Sequence, residues 1–329
     1  MSDALTPLDL PFPLSPVAMG CWPIAGITSI GVTEDDARET IAAAVDAGIT
    51  HFDTAHAYGY DGESERLLGQ MLRPHRGRVS IATKGGLVWG DADPHAPDAK
   101  RPQSRDGRPQ TLRLQCEQSL SRLGLDAVDV YYLHAPDPDV PLGESAGAIA
   151  DLIADGKART AGVSNFTERS QYAAFAAECP IALDQQPYNL LQREIESDRI
   201  PWAQSVGART VCYWPLMKGL LAGRLARDHR FAPRDSRQHY AVFREPNWSA
   251  THDLLDDLRD LAETKGCTVA QLVIAWTIAQ PGLTAALCGA KQPEQIRETA
   301  AAMGLDLTAA DHALIAEAAA RRGAIEAVP

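Results

Sequence analysis

Positive charge is scarce in this chain of 329 residues, which carries 31 lysines and arginines against 43 aspartates and glutamates and a net charge of −12. Such a surface would repel a polyanion, so neither nucleic acid nor an anionic membrane is expected as a partner. Any anionic ligand would need a local basic pocket. The first residues lack the basic start and apolar run of a signal peptide, and no later stretch is long enough to span a bilayer. A cytoplasmic protein is therefore expected.

Closely spaced cysteines are also missing. The chain has neither a CxxC pair nor the close Cys/His spacing of a zinc site, and most of its thiols are expected to be small buried side chains. The six cysteines are Cys21, Cys116, Cys179, Cys212, Cys267 and Cys288. His51 and His56 flank Asp53, but neighbouring side chains of a strand point to opposite faces, so no metal is predicted.

A GxGxxG motif is absent after the first predicted strand, which weakens a Rossmann fold. Instead, β-type runs alternate with amphipathic segments, a pattern typical of parallel strands joined by helices. Eight strands are predicted, at residues 15 to 22, 50 to 55, 79 to 84, 128 to 134, 159 to 165, 181 to 188, 209 to 216 and 284 to 290. Eight such units close most economically as one (β/α)8 barrel domain over residues 1–329, with an open doubly wound sheet as the alternative.

Several segments lie between or after these strands. Residues 33 to 48 predict a helix in which Thr33 and Asp36 have capping-box spacing and Gly48 is a C-terminal stop. Helices are also predicted at 112 to 124 and 168 to 179, and an extra C-terminal helix at 308 to 323 is expected to pack outside or beneath the ring. Two long polar segments, 87 to 110 and 225 to 249, follow barrel strands and are therefore expected on the active-site rim.

Four polar residues end or directly follow the second, third and fourth predicted strands: Asp53, Tyr58, Lys84 and His134. Taken singly, they have ordinary interpretations as a turn carboxylate, a packed aromatic, a lysine at a strand edge and a core histidine. Because a parallel barrel presents the C-terminal ends of its strands at one mouth, we expect the four to meet. A phenol, an ammonium, a carboxylate and an imidazole together can protonate a carbonyl oxygen during hydride transfer.

The segments around these residues, GITHFDTAHAYGYDGESERLLG (48 to 69), ATKGG and YYLHAPD, resemble motifs of the aldo-keto reductase family, and the resemblance runs nearly the whole length. It implies a (β/α)8 barrel that binds a nicotinamide cofactor without a Rossmann domain. It also implies that Tyr58 is the proton donor, Lys84 and Asp53 its tuning pair, and His134 the group that orients the substrate carbonyl. A nearby ammonium favours a phenolate, so Lys84 is expected to lower the pKa of Tyr58.

The resemblance extends to the cofactor site in the second half of the chain. It implies that Ser164, Asn165 and Gln185 bind the nicotinamide carboxamide and that Tyr213 stacks on the ring, although a turn and a core aromatic are the plainer interpretations. The loop implied to cover the pyrophosphate contains Pro215, Leu216, Lys218, Gly219 and Arg224. The residues implied to hold the adenosine end are Gly289, Lys291, Gln295 and Glu298. Trp22 and His56 are expected to line the substrate side.

The preferred cofactor is expected to be NADPH, with NADH possible. The family often has asparagine where Thr299 stands and, in many members, arginine where Gln295 stands. Lys291, together with Arg237 from the long loop, could instead balance a 2′-phosphate.

The implied reaction is the reversible reduction of a small aldehyde, ketone or sugar. Two alternatives stay open: an NAD(P)-dependent sugar or polyol dehydrogenase working in the oxidative direction, and a cofactor-binding sensor or docking module like potassium channel β subunits. The partner expected is a small-molecule carbonyl or hydroxy substrate, and the sequence carries no signal for a particular oligomeric state. Polar residues in the long loops favour a hydroxylated substrate; they are Asp91, Asp93, His95, Arg101, Arg105 and Arg237.

Overall fold

Eight parallel strands form a closed barrel in the computed structural model, which describes residues 9–26, 31–92, 100–232 and 235–325. The strands of the described residues are β1 (Val17–Gly20), β2 (His51–Asp53), β3 (Ser80–Gly85), β4 (Leu87–Trp89), β5 (Gln103–Arg105), β6 (Val128–Leu133), β7 (Ala158–Ser164), β8 (Ile181–Pro187), β9 (Arg209–Tyr213) and β10 (Leu283–Gly289). The barrel runs β1-β2-β3-β6-β7-β8-β9-β10 and closes where β10 pairs with β1. The predicted (β/α)8 barrel is confirmed, and each predicted strand has its counterpart.

Helices occupy the connections and surround the ring. Those of the described residues are α1 (Glu34–Asp46), α2 (Glu63–Leu72), α3 (Pro109–Leu123), α4 (Leu142–Ala154), α5 (Arg169–Ala176), α6 (Arg199–Ser205), α7 (Asn247–Lys265), α8 (Val269–Ile278), α9 (Pro293–Ala301) and α10 (Ala309–Arg322). Both halves of the Thr33 and Asp36 capping box are formed at the start of α1. The extra helix α10 packs on the outer helix α7, as predicted. Among the described residues, none of the helices combines the length and the apolar composition of a membrane-spanning segment.

Two layers of apolar side chains build the core. The larger layer lies between the strands and the helices, and a smaller one fills the barrel itself. The inner layer consists of Phe12, Ala82, Val130, Tyr132, Leu183, Val211 and Ala285. Gly162 of β7 makes room for it, because a Cβ there would lie 2.3 Å from the Tyr132 ring. Five of the six cysteines are buried and Cys267 is partly buried, as the sequence predicts.

The N-terminal segment closes the bottom of the barrel, which the sequence pattern did not indicate. Phe12 stacks on His51 with ring centroids 6.1 Å apart. The Ser80 hydroxyl donates to the Pro13 carbonyl at 2.6 Å, and the Thr50 amide donates to Ser15 Oγ at 3.0 Å. These contacts fall at the N-terminal ends of β2 and β3. The C-terminal ends of the strands therefore form the open mouth.

The described residues of the two long loops include secondary structure of their own. β4 and β5 pair as an antiparallel hairpin inside segment 87 to 110, which the sequence predicted only as a loop. Short 3-10 helices at Ser236–His239 and Ala241–Phe243 occupy segment 225 to 249, and α7 begins within it. Asp93 and His95 lie outside the described residues.

Candidate active site

Lys84 lies at the centre of a buried polar cluster at the mouth of the barrel. Its ammonium donates to a carboxylate oxygen of Asp53, to the Thr54 carbonyl at 2.8 Å and, in a long contact of 3.5 Å, to the Tyr58 hydroxyl. Lys84 and Asp53 are each 1% exposed. They end β3 and β2, and the loop after β2 returns Tyr58 over them, with Lys84 Nζ 4.8 Å from its ring centroid. Three of the four predicted residues thus contact one another.

His134 completes the cluster from the next strand, β6. Its amide donates to the Gly85 carbonyl at 2.9 Å, which fixes the residue at the strand end. The imidazole meets the Tyr58 ring edge-on, with centroids 5.9 Å apart, and Trp22 packs on the same ring at 5.1 Å. Nδ1 of His134 is buried and has no hydrogen-bond partner among the described residues. The structure therefore brings the four predicted residues, and Trp22, to one place.

Burial dominates the electrostatics of this cluster. It lowers the pKa of Lys84 and raises the pKa of Asp53, and the attraction between the two charges opposes both shifts. Burial and, secondly, the positive charge of Lys84 hold the pKa of His134 well below its usual value, so its imidazole is neutral. Lys84 and Asp53 thus form an ion pair in which the attraction between the two charges offsets part of the cost of burying them.

The expected lowering of the Tyr58 pKa is wrong for this structure. Burial, followed by the negative charge of Asp53, raises the pKa of Tyr58 well above its usual value. The reason is that Asp53 lies directly against Lys84 and offsets its field, while the desolvated site disfavours a phenolate. Tyr58 is consequently a neutral phenol with a proton to donate.

A second hydrogen-bonded group borders this cluster at the ends of β7, β8 and β9. Gln185 donates to the second carboxylate oxygen of Asp53 at 2.8 Å, and Ser164 Oγ donates to the Gln185 carbonyl at 3.0 Å. Tyr213 donates to the side-chain oxygen of Asn165 at 2.9 Å. Asn165 has a left-handed backbone, with φ of 61°, directly after the end of β7. These four predicted residues are thus joined to one another and to Asp53.

The segment after β9 has an unusual backbone. Trp214, Met217 and Lys218 have φ values of 58°, 43° and 54°, a left-handed conformation that is rare without glycine. The segment includes the predicted Pro215, Leu216 and Gly219 and turns through a 3-10 helix, Met217–Ala222. Lys218 Nζ lies 3.7 Å from the Trp214 ring centroid and 4.4 Å from that of Tyr240. Backbone strain of this kind concentrates at functional sites.

The residues predicted for the adenosine end lie at the end of β10, in the turn that follows it and in α9. Gly289 ends β10, and the Lys291 amide donates to Gln295 Oε1 at 2.8 Å. Arg224 reaches across from the segment after β9 to pair with Glu298 at 2.7 Å. This ion pair ties the two parts of the predicted cofactor site together.

Arg237, on the long loop of residues 225 to 249, lies beside the segment after β9. Its guanidinium pairs with Asp235 and lies 4.0 Å from the position a Cβ of Gly219 would take. Burial and then the charge of Arg237 lower the pKa of Lys291, and the charge of Asp235 opposes this shift. Arg237, its partner Asp235 and Lys291 thus form a charged group beside the segment after β9.

His56 does not join the Tyr58 cluster. Its Nε2 lies 2.7 Å from Gln118 Oε1 on α3, which turns the ring towards the outer helices rather than to the substrate side. His51 is buried and its Nδ1 contacts Ser80 Oγ at 2.7 Å. The part of the chain that the structure describes holds no group of three or more His, Cys, Asp or Glu side chains suited to a metal ion.

Sequence reasoning missed Trp89, on the β4–β5 hairpin. Its indole N–H donates to the carbonyls of Ala57 and Gly59, at 3.1 Å each, and so holds the loop on both sides of Tyr58. The only signal available was a tryptophan in a rim loop, because the contact depends on the hairpin.

Comparisons with known proteins agree with this geometry. The model of the Aldo/keto reductase family matches residues 16–320. Aldo-keto reductase YhdN of Bacillus subtilis (strain 168) is 36% identical over 302 residues, covering 90% of this chain and 87% of that protein. The NADH-specific methylglyoxal reductase of Escherichia coli (strain K12) is 31% identical over 315 residues, covering 93% and 95%. The structure of the glycerol dehydrogenase AKR11B4 from Gluconobacter oxydans matches with a TM-score of 0.89 and 35% identity, covering 100% of this chain and 98% of that one. The chain therefore belongs to the aldo/keto reductase family of oxidoreductases.

Proposed function

We propose that the protein is an NADPH-dependent reductase that converts the carbonyl of a small aldehyde, ketone or sugar into an alcohol. The observation that carries this proposal is the contact of Lys84 with both Asp53 and Tyr58 at the barrel mouth. A partly buried neutral phenol next to an ammonium can give its proton to a developing alkoxide, which is the proton transfer that carbonyl reduction requires. The barrel of residues 1–329 acts as a single domain in this proposal.

Each residue of the cluster has a role that follows from its position. Tyr58 donates its proton, and Lys84, held by Asp53, stabilises the phenolate left behind. Neutral His134 donates a hydrogen bond to the substrate carbonyl and orients it towards Tyr58. Trp22 packs on Tyr58 and excludes water from one side of the substrate.

The residues around the cluster suit a nicotinamide cofactor, which supplies the hydride when bound. Ser164, Asn165 and Gln185 place amide and hydroxyl groups beside Asp53, where a carboxamide could be bound, and Tyr213 offers a ring for stacking. The buried Nδ1 of His134 has no hydrogen-bond partner among the described residues, and such an unsatisfied polar group supports the proposal that a ligand binds beside it.

The distal groups favour NADPH, and NADH remains an acceptable cofactor. Pro215, Leu216 and Gly219 lie on the strained segment, whose backbone would hold the pyrophosphate, and Arg224 ties that segment to Glu298. Gly289 and Gln295 line the adenosine end. The neighbouring cations Lys291 and Arg237 supply the charge that a 2′-phosphate requires. The relative that is an NADH-specific methylglyoxal reductase supports a role for NADH as well.

Oxidation of a polyol or sugar is the second candidate, favoured by the similarity to a glycerol dehydrogenase. The same residues serve both directions, but oxidation requires Tyr58 as a phenolate. Because the pKa of Tyr58 is raised, alcohol-dependent reduction of NADP⁺ should increase with alkaline pH, whereas carbonyl reduction should proceed at neutral pH.

The decisive test is Tyr58→Phe, which removes only the hydroxyl. We expect kcat for aldehyde reduction to fall by about 10² to 10⁴ while NADPH still binds, as followed by cofactor fluorescence. The matched control is Tyr131→Phe, which removes a buried hydroxyl that donates to the Leu112 carbonyl on the outer side of the barrel. It should leave kcat nearly unchanged. Turnover by Tyr58→Phe as fast as that of the parent would refute the mechanism.

A further inference from the structure

Two tyrosine rings lie against the ammonium of Lys84. Its Nζ is 4.8 Å from the ring centroid of Tyr58 and 5.6 Å from that of Tyr132. Tyr58 approaches from the loop after β2, whereas Tyr132 belongs to the apolar layer inside the barrel. Both distances fall within the range of about 6 Å over which an aromatic ring attracts a cation, and this attraction is strongest where water is excluded. Only the first of these rings takes part in the proposed proton transfer.

Strand pairing places Tyr132 beside the ammonium. Lys84 of β3 and Tyr132 of β6 are Cα partners in neighbouring parallel strands. Residues paired in this way direct their side chains to the same face of the sheet, which here is the barrel interior. Tyr132 is 0% exposed. The backbone register therefore brings the ring to the ammonium and keeps it there.

Gly162 leaves the space that the Tyr132 ring occupies. It is the partner of Tyr132 on the other side, in β7. A Cβ at this position would lie 2.3 Å from both Cδ1 and Cε1 of the ring, a distance that side-chain atoms do not tolerate. The Tyr132 hydroxyl is buried and has no hydrogen-bond partner among the described residues. Packing over Gly162, rather than a hydrogen bond, therefore determines where the ring lies.

The hydrogen bonds of Lys84 come from one side only. Among the described residues, the acceptors of its ammonium are Asp53, the Thr54 carbonyl and the Tyr58 hydroxyl, all from β2 or the loop after it. Asp53 holds the ammonium in a close ion pair, whereas the contact with Tyr58 is long, at 3.5 Å. An ammonium drawn further towards Asp53 would lose the phenol. Tyr132 contributes a contact from a different strand.

We propose that Tyr132 is a positioning residue for the proton transfer, and that its ring, seated on Gly162, keeps the Lys84 ammonium within reach of the Tyr58 hydroxyl. This inference rests on the proposed carbonyl reduction and adds a residue to it. The ring attracts the ammonium from inside the barrel, so that Asp53 alone does not decide where the ammonium lies. An ammonium held at the phenol stabilises the phenolate that forms as Tyr58 gives up its proton.

The first experiment compares Tyr132→Phe with Tyr132→Leu, because phenylalanine keeps the ring and leucine removes it. With glyceraldehyde and NADPH, we expect Tyr132→Phe to keep kcat within about twofold of the parent and Tyr132→Leu to lower it about tenfold. KM for the aldehyde and the dissociation constant of NADPH should be unchanged, because a residue that is 0% exposed meets neither ligand.

Two outcomes of this comparison would overturn the inference and leave the reductase standing. One is a kcat in Tyr132→Leu equal to that of the parent. The other is an equal loss in Tyr132→Phe, which would assign the effect to the hydroxyl. Absence of turnover by the parent protein with every small aldehyde would instead overturn the proposed function.

Val130→Ala is the matched control for lost packing. Val130 lies two residues before Tyr132 on β6 and belongs to the same inner layer. Its truncation should lower the urea midpoint of unfolding but leave kcat within about twofold of the parent. A loss of kcat in Val130→Ala as large as that in Tyr132→Leu would assign the effect to weakened packing and refute the positioning role.

A second background tests whether Tyr132 acts through Lys84. Adding Tyr132→Leu to Lys84→Met should change the residual kcat, measured at high enzyme concentration, by less than about twofold, because no ammonium is left to position. The same tenfold loss in both backgrounds, about one order of magnitude, would show that Tyr132 acts independently of Lys84 and would end the proposal.

Gly162→Ala displaces the ring without changing any polar group of the site. Its methyl would meet ring atoms at 2.3 Å, so we expect kcat to fall about tenfold while KM is retained. A folded Gly162→Ala variant with the kcat of the parent would contradict the role given to the ring. Should this variant fail to fold, Tyr132→Leu and its control decide the question.

Discussion

Removing one charge of the Asp53 and Lys84 pair should destabilise the barrel strongly. Removing both charges should cost less than the sum of the two single losses. Both side chains are 1% exposed, so either single change leaves a buried charge without its partner, at a cost of about 3–5 kcal/mol. In Lys84→Met the carboxylate of Asp53 keeps one donor, the Gln185 amide at 2.8 Å. In Asp53→Asn the ammonium keeps the Thr54 carbonyl at 2.8 Å. The double variant Asp53→Asn/Lys84→Met carries no charge and should recover about 1–3 kcal/mol relative to additivity.

The cost of Lys84→Met should also depend on pH. Without the ammonium, burial raises the pKa of Asp53 further above its unfolded value, so the folded state holds a proton that the unfolded state loses. Stability is then fully present below about pH 4 and falls as pH rises through the folded pKa. Urea unfolding followed by tryptophan fluorescence, at about pH 5 and about pH 8, measures both effects. Additive losses within about 0.5 kcal/mol, or a loss equal at both pH values, would refute the reasoning.

Two further predictions concern residues outside this pair. Burial raises the pKa of Asp184 to about 7, so this carboxyl contributes stability that is present below about pH 4 and lost as pH rises towards 7, and the slope of stability against pH over that range should differ in Asp184→Asn by this contribution. Thermal unfolding across that range tests it, and a parallel slope in the variant would contradict the assignment. Trp89→Phe removes the N–H that holds the loop carrying the proposed proton donor. Its kcat should fall several-fold with NADPH affinity retained, and wild-type kinetics would show that the anchor is unimportant.

Much of the fold followed from local patterns. The eight strand segments were recognisable because parallel strands buried on both faces leave apolar runs that alternate with amphipathic helices. The start of α1 was legible from Thr33 and Asp36, whose side chains cap it locally. The hairpin of β4 and β5 was not, because its exposed strand residues at Gln103–Arg105 have no apolar alternation and pair only through the tertiary fold.

The candidate site shows the same division. Asp53, Lys84 and His134 end strands, so barrel geometry alone predicts that they share a mouth. The orientation of His56 and the anchor from Trp89 depend on which outer helix and which hairpin reach them, and no local pattern encodes either.

The sequence by itself determined the class of fold, the strand ends and the chemical groups that those ends present, because these depend on periodicity and chain order. Only the tertiary structure decided the ionisation of Tyr58 and the orientation of His56. Both depend on burial and on distances between groups far apart in the chain: Asp53 lies against Lys84 and offsets its charge, and Gln118 holds the His56 ring towards the outer helices.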